Sequence, residues 1–393
     1  MTDSDTERPS GSTGPTAHDK HGKHAGDTGA SHAGDPVDAL PVTETTASHQ
    51  TMDPGAGKDA RGPGGRSVTM ARLADTGFFR VVGLVVVLLL IVIVGTITAG
   101  DRFLDADNFL TILRLSTAVG VVSVGMTFVI TGGGIDLSVG AVLALSSVWA
   151  TTVATQELAA DTFWGVMVLT ALGVGAGAGL VNGVLIAYGR VVAFITTLAM
   201  LVAARGLAEK ISGQRTQIVS DVPGFYDFFR AKPLGVDMSI WLFVLVAVLG
   251  WILLNRTTFG RRTFAVGGNP EAARLAGINV RRHTVWLYVL VGACSGIAAL
   301  MIVARTTTGS STHGELLELD AIAAVVIGGT LLAGGRGTIT GTVLGVLIFT
   351  MLTNVFTLNN REPSEQDLLK GAIIVAAVLL QQWLAARKST SST

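Results

Sequence analysis

An all-α, polytopic membrane bundle of about ten transmembrane helices is the fold this chain predicts, and three observations carry it. Of its 393 residues, 49% are hydrophobic and only 14% are charged, a balance too apolar for a soluble domain of this length. Uncharged runs recur at lengths that cross a ~30 Å hydrocarbon core as helices. Glycine is abundant, at 49 residues, and recurs within those runs at spacings that let membrane helices approach closely.

Residues 1–75 differ in kind from the rest. They are rich in Gly, Ser, Thr, Asp and His, and composition predicts a disordered polar tail on the cytoplasmic side. The tail lacks the basic-then-apolar start of a cleaved signal peptide. Its HDKHGKH stretch has no cysteine and no fixed scaffold, so no metal site is assigned to it. A transmembrane domain is expected over 76–388, with a short tail at 389–393.

Within that domain the clearest runs are 81–100, 115–135, 137–156, 162–189, 238–255, 284–304 and 337–360. Shorter runs at 191–204, 321–335 and 371–386 complete the ten and need help from their flanks. Between the second and third runs stands Asp136, preceded by Gly132, Gly133 and Gly134. A carboxylate at mid-membrane costs about 2.5–3.5 kcal/mol on insertion scales, so it caps a broken helix, lines a pathway or relays protons. Capping suits Asp136 and Ser138 best, because a helix starts there after flexible glycines. The run GVGAGAGLVNG (173–183) reads as a close-packing stripe. Asn182 and Asn354 are polar side chains in apolar surroundings, and each either faces a cavity or bonds a neighbouring helix. The single cysteine, Cys294, excludes an intramolecular disulfide and a CxxC site, and reads as a small buried packing residue.

A repeat emerges from the spans. Gly133-Gly134-IDLSV-Gly140-AVLA aligns with Gly334-Gly335-RGTIT-Gly341-TVLG, with five of twelve positions identical. Both copies enter a span from one side, as in a parallel duplication; chance likeness between Gly-rich helices is the alternative.

The loop from Asn255 to His283 holds six arginines and one acid, Glu271. At its centre, Asn269, Pro270, Glu271, Ala272, Ala273, Arg274 and, after Leu275 and Ala276, Gly277 spell a self-contained helix. Asn269 suits the cap and Pro270 the first helical position. Glu271 faces the positive end of the dipole and Gly277 supplies a left-handed stop. With the N-terminus inside, fourteen basic residues near the membrane fall on the inner side against ten outside. Concentration of six in this one loop makes it cytoplasmic. A self-contained helix in such a loop is there to be gripped from outside the membrane.

The net charge of zero argues against nucleic acid as a partner. No GxxxxGK[ST], HExxH or GxSxG pattern occurs, so the chain is not read as an enzyme and has no P-loop of its own.

Five segments, in order over roughly 108–381, resemble the permease subunits of ribose/xylose/galactose-type ABC importers, within the larger branched-chain amino-acid and sugar permease family. They are GMT and TGGGIDLSVGAVLAL (125–127 and 131–145), FITTLAMLVAARGLA (194–208), GRRTFAVGGNPEAARLAGINV (260–280), ELDAIAAVVIGGTLLAGGRGTITGTVLGVLI (318–348) and QDLLKGAIIVAAVLL (366–380). Val192-Ala193 stands where members often have a proline, and Ala199 where they often have glycine. The resemblance implies a permease subunit that moves a monosaccharide, pentose or hexose, across a bacterial inner membrane by alternating access, with both termini cytoplasmic. It also implies a second permease copy, identical or related, two cytoplasmic ABC ATPase chains that carry ATP and Mg, and an extracytoplasmic sugar-binding protein. No cofactor is expected on this chain. The helix at 269–277 is then the ATPase-coupling element. The other readings are a cation-coupled secondary transporter, for which only Asp136 offers a titratable group at mid-depth, a structural membrane protein, and an ABC permease for another small solute such as a branched-chain amino acid.

Overall fold

In hydrocarbon each backbone N–H and C=O must bond within its own segment, so apolar runs of this length close into helices. The computed structural model describes residues 77–220, 222, 224–373, 375 and 379. The expected tails at 1–75 and 389–393, and most of the run 371–386, lie outside the described residues. In chain order the helices are α1 (Gly77–Ala99), α2 (Asp101–Leu104), α3 (Ala106–Thr131), α4 (Val139–Ala150), α5 (Val153–Asp161), α6 (Gly165–Ala187) and α7 (Ala193–Ser212). They continue with α8 (Phe225–Phe229), α9 (Met238–Arg256), α10 (Thr258–Gly268), α11 (Pro270–Leu275), α12 (Val280–Thr306), α13 (Leu317–Ile327) and α14 (Ile339–Leu358). One two-residue ladder, β1 (Gln217–Ile218) antiparallel to β2 (Thr308–Gly309), ties the connection after α7 to the end of α12.

Six of these helices are long and apolar enough to cross a membrane, or seven if the bent pair α4 and α5 is one span. That is fewer full spans than the ten runs suggest, and the reasons are local. The run 137–156 breaks where Thr151 and Thr152 turn the chain by 57°. The run 321–335 ends as a helix at Ile327, because Gly329, Gly334 and Gly335 adopt positive φ and form a loop instead. Helix α7 has the length of a span but carries Arg205, Glu209 and Lys210 in its second half.

Helices α3 and α12 form the centre, with 78% of each apolar window buried, whereas α1 (11%) and α9 (17%) lie at the edge. Helix α14 packs on α3, α4 lies among α6, α7 and α12, and α6 lies along α12. The last contact is the most intimate. Gly175 and Gly179 press against the backbone of α12, where a Cβ on Gly179 would strike the Tyr288 carbonyl oxygen and one on Gly292 would strike the Gly175 carbonyl oxygen. Gly177, midway between them in sequence, faces open space. The 173–183 segment is therefore a packing stripe in which Gly175, Gly179 and Gly183, four residues apart, meet α12, while Gly173 and Gly177 do not. Cys294 is buried with 4% exposure, as a packing residue should be.

Gly179→Leu is expected to force α6 and α12 apart, at about 1–3 kcal/mol or more for overpacking. Gly177→Leu is expected to be near neutral. Thermal unfolding of the two variants in detergent checks the contrast.

Candidate functional site

Two helices, not one, fill the loop between α9 and α12. Thr257 ends α9, and its Oγ1 accepts the Gly260 N–H (3.4 Å) to start α10. Asn269 both ends α10 and starts α11. Its N–H donates to the Ala265 carbonyl (3.0 Å), and its Oδ1 accepts the Ala272 N–H (2.9 Å). Pro270 follows in the first helical position. At the other end Gly277 takes φ 82°, and the Gly277 and Ile278 N–H groups donate to the Arg274 and Ala273 carbonyls, both at 3.0 Å. Asn279 Oδ1 then accepts the Arg282 N–H (3.0 Å) to open α12. Glu271 and Arg274 pair at 3.0 Å on the surface; at 74% and 65% exposure such a pair contributes on the order of 0.5 kcal/mol. Ala273 alone of α11 is buried, and Leu275 stands 80% exposed at its tip. Helix α11 is thus a short, fully capped peg seated on one alanine.

Beneath the peg lies a junction of glycine backbones. A Cβ on Gly267, at the end of α10, would strike the Thr131 carbonyl oxygen at the end of α3 and come within 2.7 Å of the Gly335 nitrogen. One on Gly334 would sit 2.8 Å from the Gly267 oxygen and 2.9 Å from the Gly133 Cα. The Gly335 N–H donates to the Thr131 carbonyl (2.8 Å), which joins the two loops directly. Gly133 and Gly334 share φ 84°, a value costly for any residue with a Cβ. The two halves of the repeat therefore meet at this point, and α4 and α14 both leave from it, starting at Val139 and Ile339. The parallel sense read from the repeat matches this geometry. The last residues of α10, one step before the peg, complete the contact.

Asp136 lies inside this assembly with 2% exposure. Its Oδ1 accepts both the Ser138 N–H (2.8 Å) and the Ser138 Oγ–H (2.6 Å). Ser138 itself stands at the cap position of α4, so Asp136 acts two residues upstream and holds the capping residue, not the first turn. Asn182 Nδ2 donates to Ser138 Oγ (3.0 Å), and the Tyr288 hydroxyl donates to the Ile135 carbonyl (3.1 Å). Gly133, Gly134, Asp136, Ser138 and Asn182 thus belong to one cluster around the start of α4. Asn354 does not join it. On α14 its amide exchanges two hydrogen bonds with Asn108, at 2.8 and 3.2 Å, and is spent on helix packing. Two buried acceptors at the first turn of α4 have no hydrogen-bond partner among the described residues: Asn182 Oδ1 and Glu318 Oε2, the latter beside Gly140.

Three features escaped the sequence reading. Gly267-Gly268 precedes the peg, and the pair is visible as a motif, but nothing local reveals that its partners lie over a hundred residues away on one side. The buried hydroxyls of Thr127 and Thr342 meet at 2.7 Å and bond α3 to α14. At the opposite end, Arg205 donates to the carbonyls of Ser311 and His313 and holds the connection before α13. Burial first, then the charges of Arg305 and Arg205, push the His313 imidazole down to about 4, so it stays neutral at physiological pH.

Asp136→Asn is expected to keep an oxygen acceptor for Ser138 and to fold normally. Asp136→Leu leaves the buried Ser138 N–H unsatisfied, at about 1–3 kcal/mol. Melting temperatures of the two variants in detergent check this; equal values would show that the carboxylate does not hold α4.

Residues 108–378 match the family described as the branched-chain amino acid transport system / permease component. The chain is 40% identical over 300 residues to the ribose import permease protein RbsC of Escherichia coli K12, covering 76% of this chain and 92% of that protein. It is 41% identical over 304 residues to the ribose import permease protein RbsC of Bacillus subtilis, covering 75% and 90%. Over 303 residues it is 37% identical to the L-arabinose ABC transporter permease protein AraH of Azospirillum brasilense, covering 77% and 87%. No solved structure matches it. With the family match covering more than half of its length, the chain belongs to the branched-chain amino acid transport system permease family.

Proposed function

We propose that this chain is the membrane subunit of an ATP-binding-cassette importer for a monosaccharide, a pentose or hexose, and that it works by alternating access. The observation that carries the reading is the capped peg α11 standing next to the junction of both repeat halves. Two separate ATPase chains, which hold the ATP and Mg, each grip a peg and move it when they close. Helix α10 passes that displacement to the glycine junction, and the junction shifts α4 and α14 together. Only contacts that differ between the two states drive such a switch, so the peg must stay folded while it is pushed.

Names of the relatives support the substrate class, since they include ribose import, fructose import and L-arabinose ABC transporter permeases. Asn182 Oδ1 and Glu318 Oε2 are suited to accept sugar hydroxyls once α4 moves. Six arginines in the loop that bears the peg favour a cytoplasmic position for it in a bacterial inner membrane, with both termini inside. An extracytoplasmic sugar-binding protein delivers the substrate, and a second permease copy, identical or related, completes the pathway.

Glu271→Lys reverses the charge at the positive end of α11, and Gly277→Val places a β-branched residue at φ 82°. Gly267→Val drives a side chain into the junction, whereas Gly268→Ala meets nothing within 4 Å. The first three are expected to lose most sugar uptake in proteoliposomes with the ATPase chains while ATP hydrolysis continues; Gly268→Ala keeps both. Normal uptake by Glu271→Lys and Gly277→Val, at normal expression, contradicts the coupling role.

A further inference from the structure

Two basic side chains that take no part in the peg or the glycine junction face one cavity at the peg end of the bundle. The cavity measures about 730 Å³ and lies between α9, α10 and α12. Arg262 of α10 and Arg282 of α12 line it. The residues next to them, Thr263 on α10 and His283 on α12, join the two helices through a hydrogen bond between Oγ1 and Nε2 at 2.9 Å. Neither arginine has an ion pair or a side-chain hydrogen bond among the described residues. The one acid of the loop, Glu271, is taken by Arg274. Two guanidinium groups lining one cavity without an anion form an electrostatically incomplete site.

Below them the lining turns apolar, through Leu253 of α9 and Trp286, Leu290 and Ala293 of α12. Trp286 is 50% exposed and Trp251, on the neighbouring turn of α9, is 37% exposed, as rings at a membrane interface are. The same two helices, together with the start of α6 and with α8, line a second cavity of about 590 Å³, to which they contribute Leu249, Val246, Ile297 and Leu300. Along α12 the apolar positions 286, 290, 293, 297 and 300 fall on one stripe. From Trp286 to Ile297 this stripe runs ~16 Å at 1.5 Å per residue, about half the ~30 Å hydrocarbon core, and connects the two cavities along α12. An acyl chain of one leaflet has that length.

We propose that this groove is a binding site for an anionic phospholipid of the cytoplasmic leaflet. Its phosphate sits between Arg262 and Arg282, and one acyl chain lies along α9 and α12. Basic pockets between helices on the cytoplasmic side select such headgroups. Gly277, Ile278 and Asn279, the stop of the peg and the cap of α12, line the same cavity, so the bound lipid braces the base of α11. The leaflet assignment rests on the cytoplasmic position proposed for the loop; the lipid site itself does not.

The test is native mass spectrometry of the assembled transporter, taken from nanodiscs with equal phosphatidylglycerol and phosphatidylcholine. Phosphatidylglycerol is expected to stay bound after phosphatidylcholine is stripped. In Arg262→Gln/Arg282→Gln its affinity should fall about thirtyfold, the factor that two basic contacts at a membrane surface carry. Arg281→Gln, which does not line the cavity, should retain it. Equal retention of both lipids, or unchanged retention by the double variant, overturns the site. Displacement by glycerophosphoglycerol, which has no acyl chains, reduces it to a simple anion site and overturns the lipid reading. A disulfide between two copies carrying Leu249→Cys assigns the groove to the second permease copy and overturns it also. Labelling Leu275→Cys from outside intact cells would contradict the cytoplasmic position without changing lipid retention, so the two readings fail separately.

Discussion

Close backbone contact among Gly133, Gly267 and Gly334 is the constraint on which the rest of this architecture depends. Two loops, one from each half of the repeat, meet the end of α10 where any Cβ on Gly267 would collide with the Thr131 carbonyl. Packing this tight leaves no side chain to flex between the parts. In the proposed importer, displacement at one of these contacts would pass to the others as a rigid contact, since packed interfaces resist continuous deformation. The hydrogen bond from the Gly335 N–H to the Thr131 carbonyl, at 2.8 Å, adds direction to the contact.

Around this point the fold spends its polar groups on holding helix ends. Asp136 and Asn182 fix Ser138 at the start of α4, Thr338 caps α14 through the Gly341 N–H (3.2 Å), and Asn269 caps the peg. Each cap is worth about 1 kcal/mol, and replacing one with alanine costs that much. Caps of that size do little for global stability, yet they decide whether a six-residue helix such as α11 keeps its shape. In the proposed importer a peg that frayed would absorb the push of the ATPase and pass nothing on.

Legibility in the sequence followed the range of the interaction. The peg was readable because its signals are local: Asn269, Pro270, Glu271 and Gly277 each act within a few residues. Asp136 and Ser138 were readable as a helix start, but the carboxylate's true partner, the N–H of the capping residue, required the backbone path. Asn354 was ambiguous because a lone amide in an apolar run does not show that Asn108, 246 positions away, will pair with it. Over 321–335 the helix ends at Ile327, where apolar composition hid a glycine loop. Gly267 was missed altogether, since glycine has no side chain to advertise a partner and its neighbours come from two distant segments.

Rigid transmission through the junction is tested most directly by two distances in the assembled transporter. Spin labels at Leu275→Cys and Arg336→Cys report the peg against the junction loop. Labels at Leu275→Cys and Arg190→Cys report the peg against the connection between α6 and α7. On trapping the ATPases with ATP, the first distance should stay constant while the second changes. A first distance that changes as much as the second would show the peg moving independently of the junction, and would contradict the account.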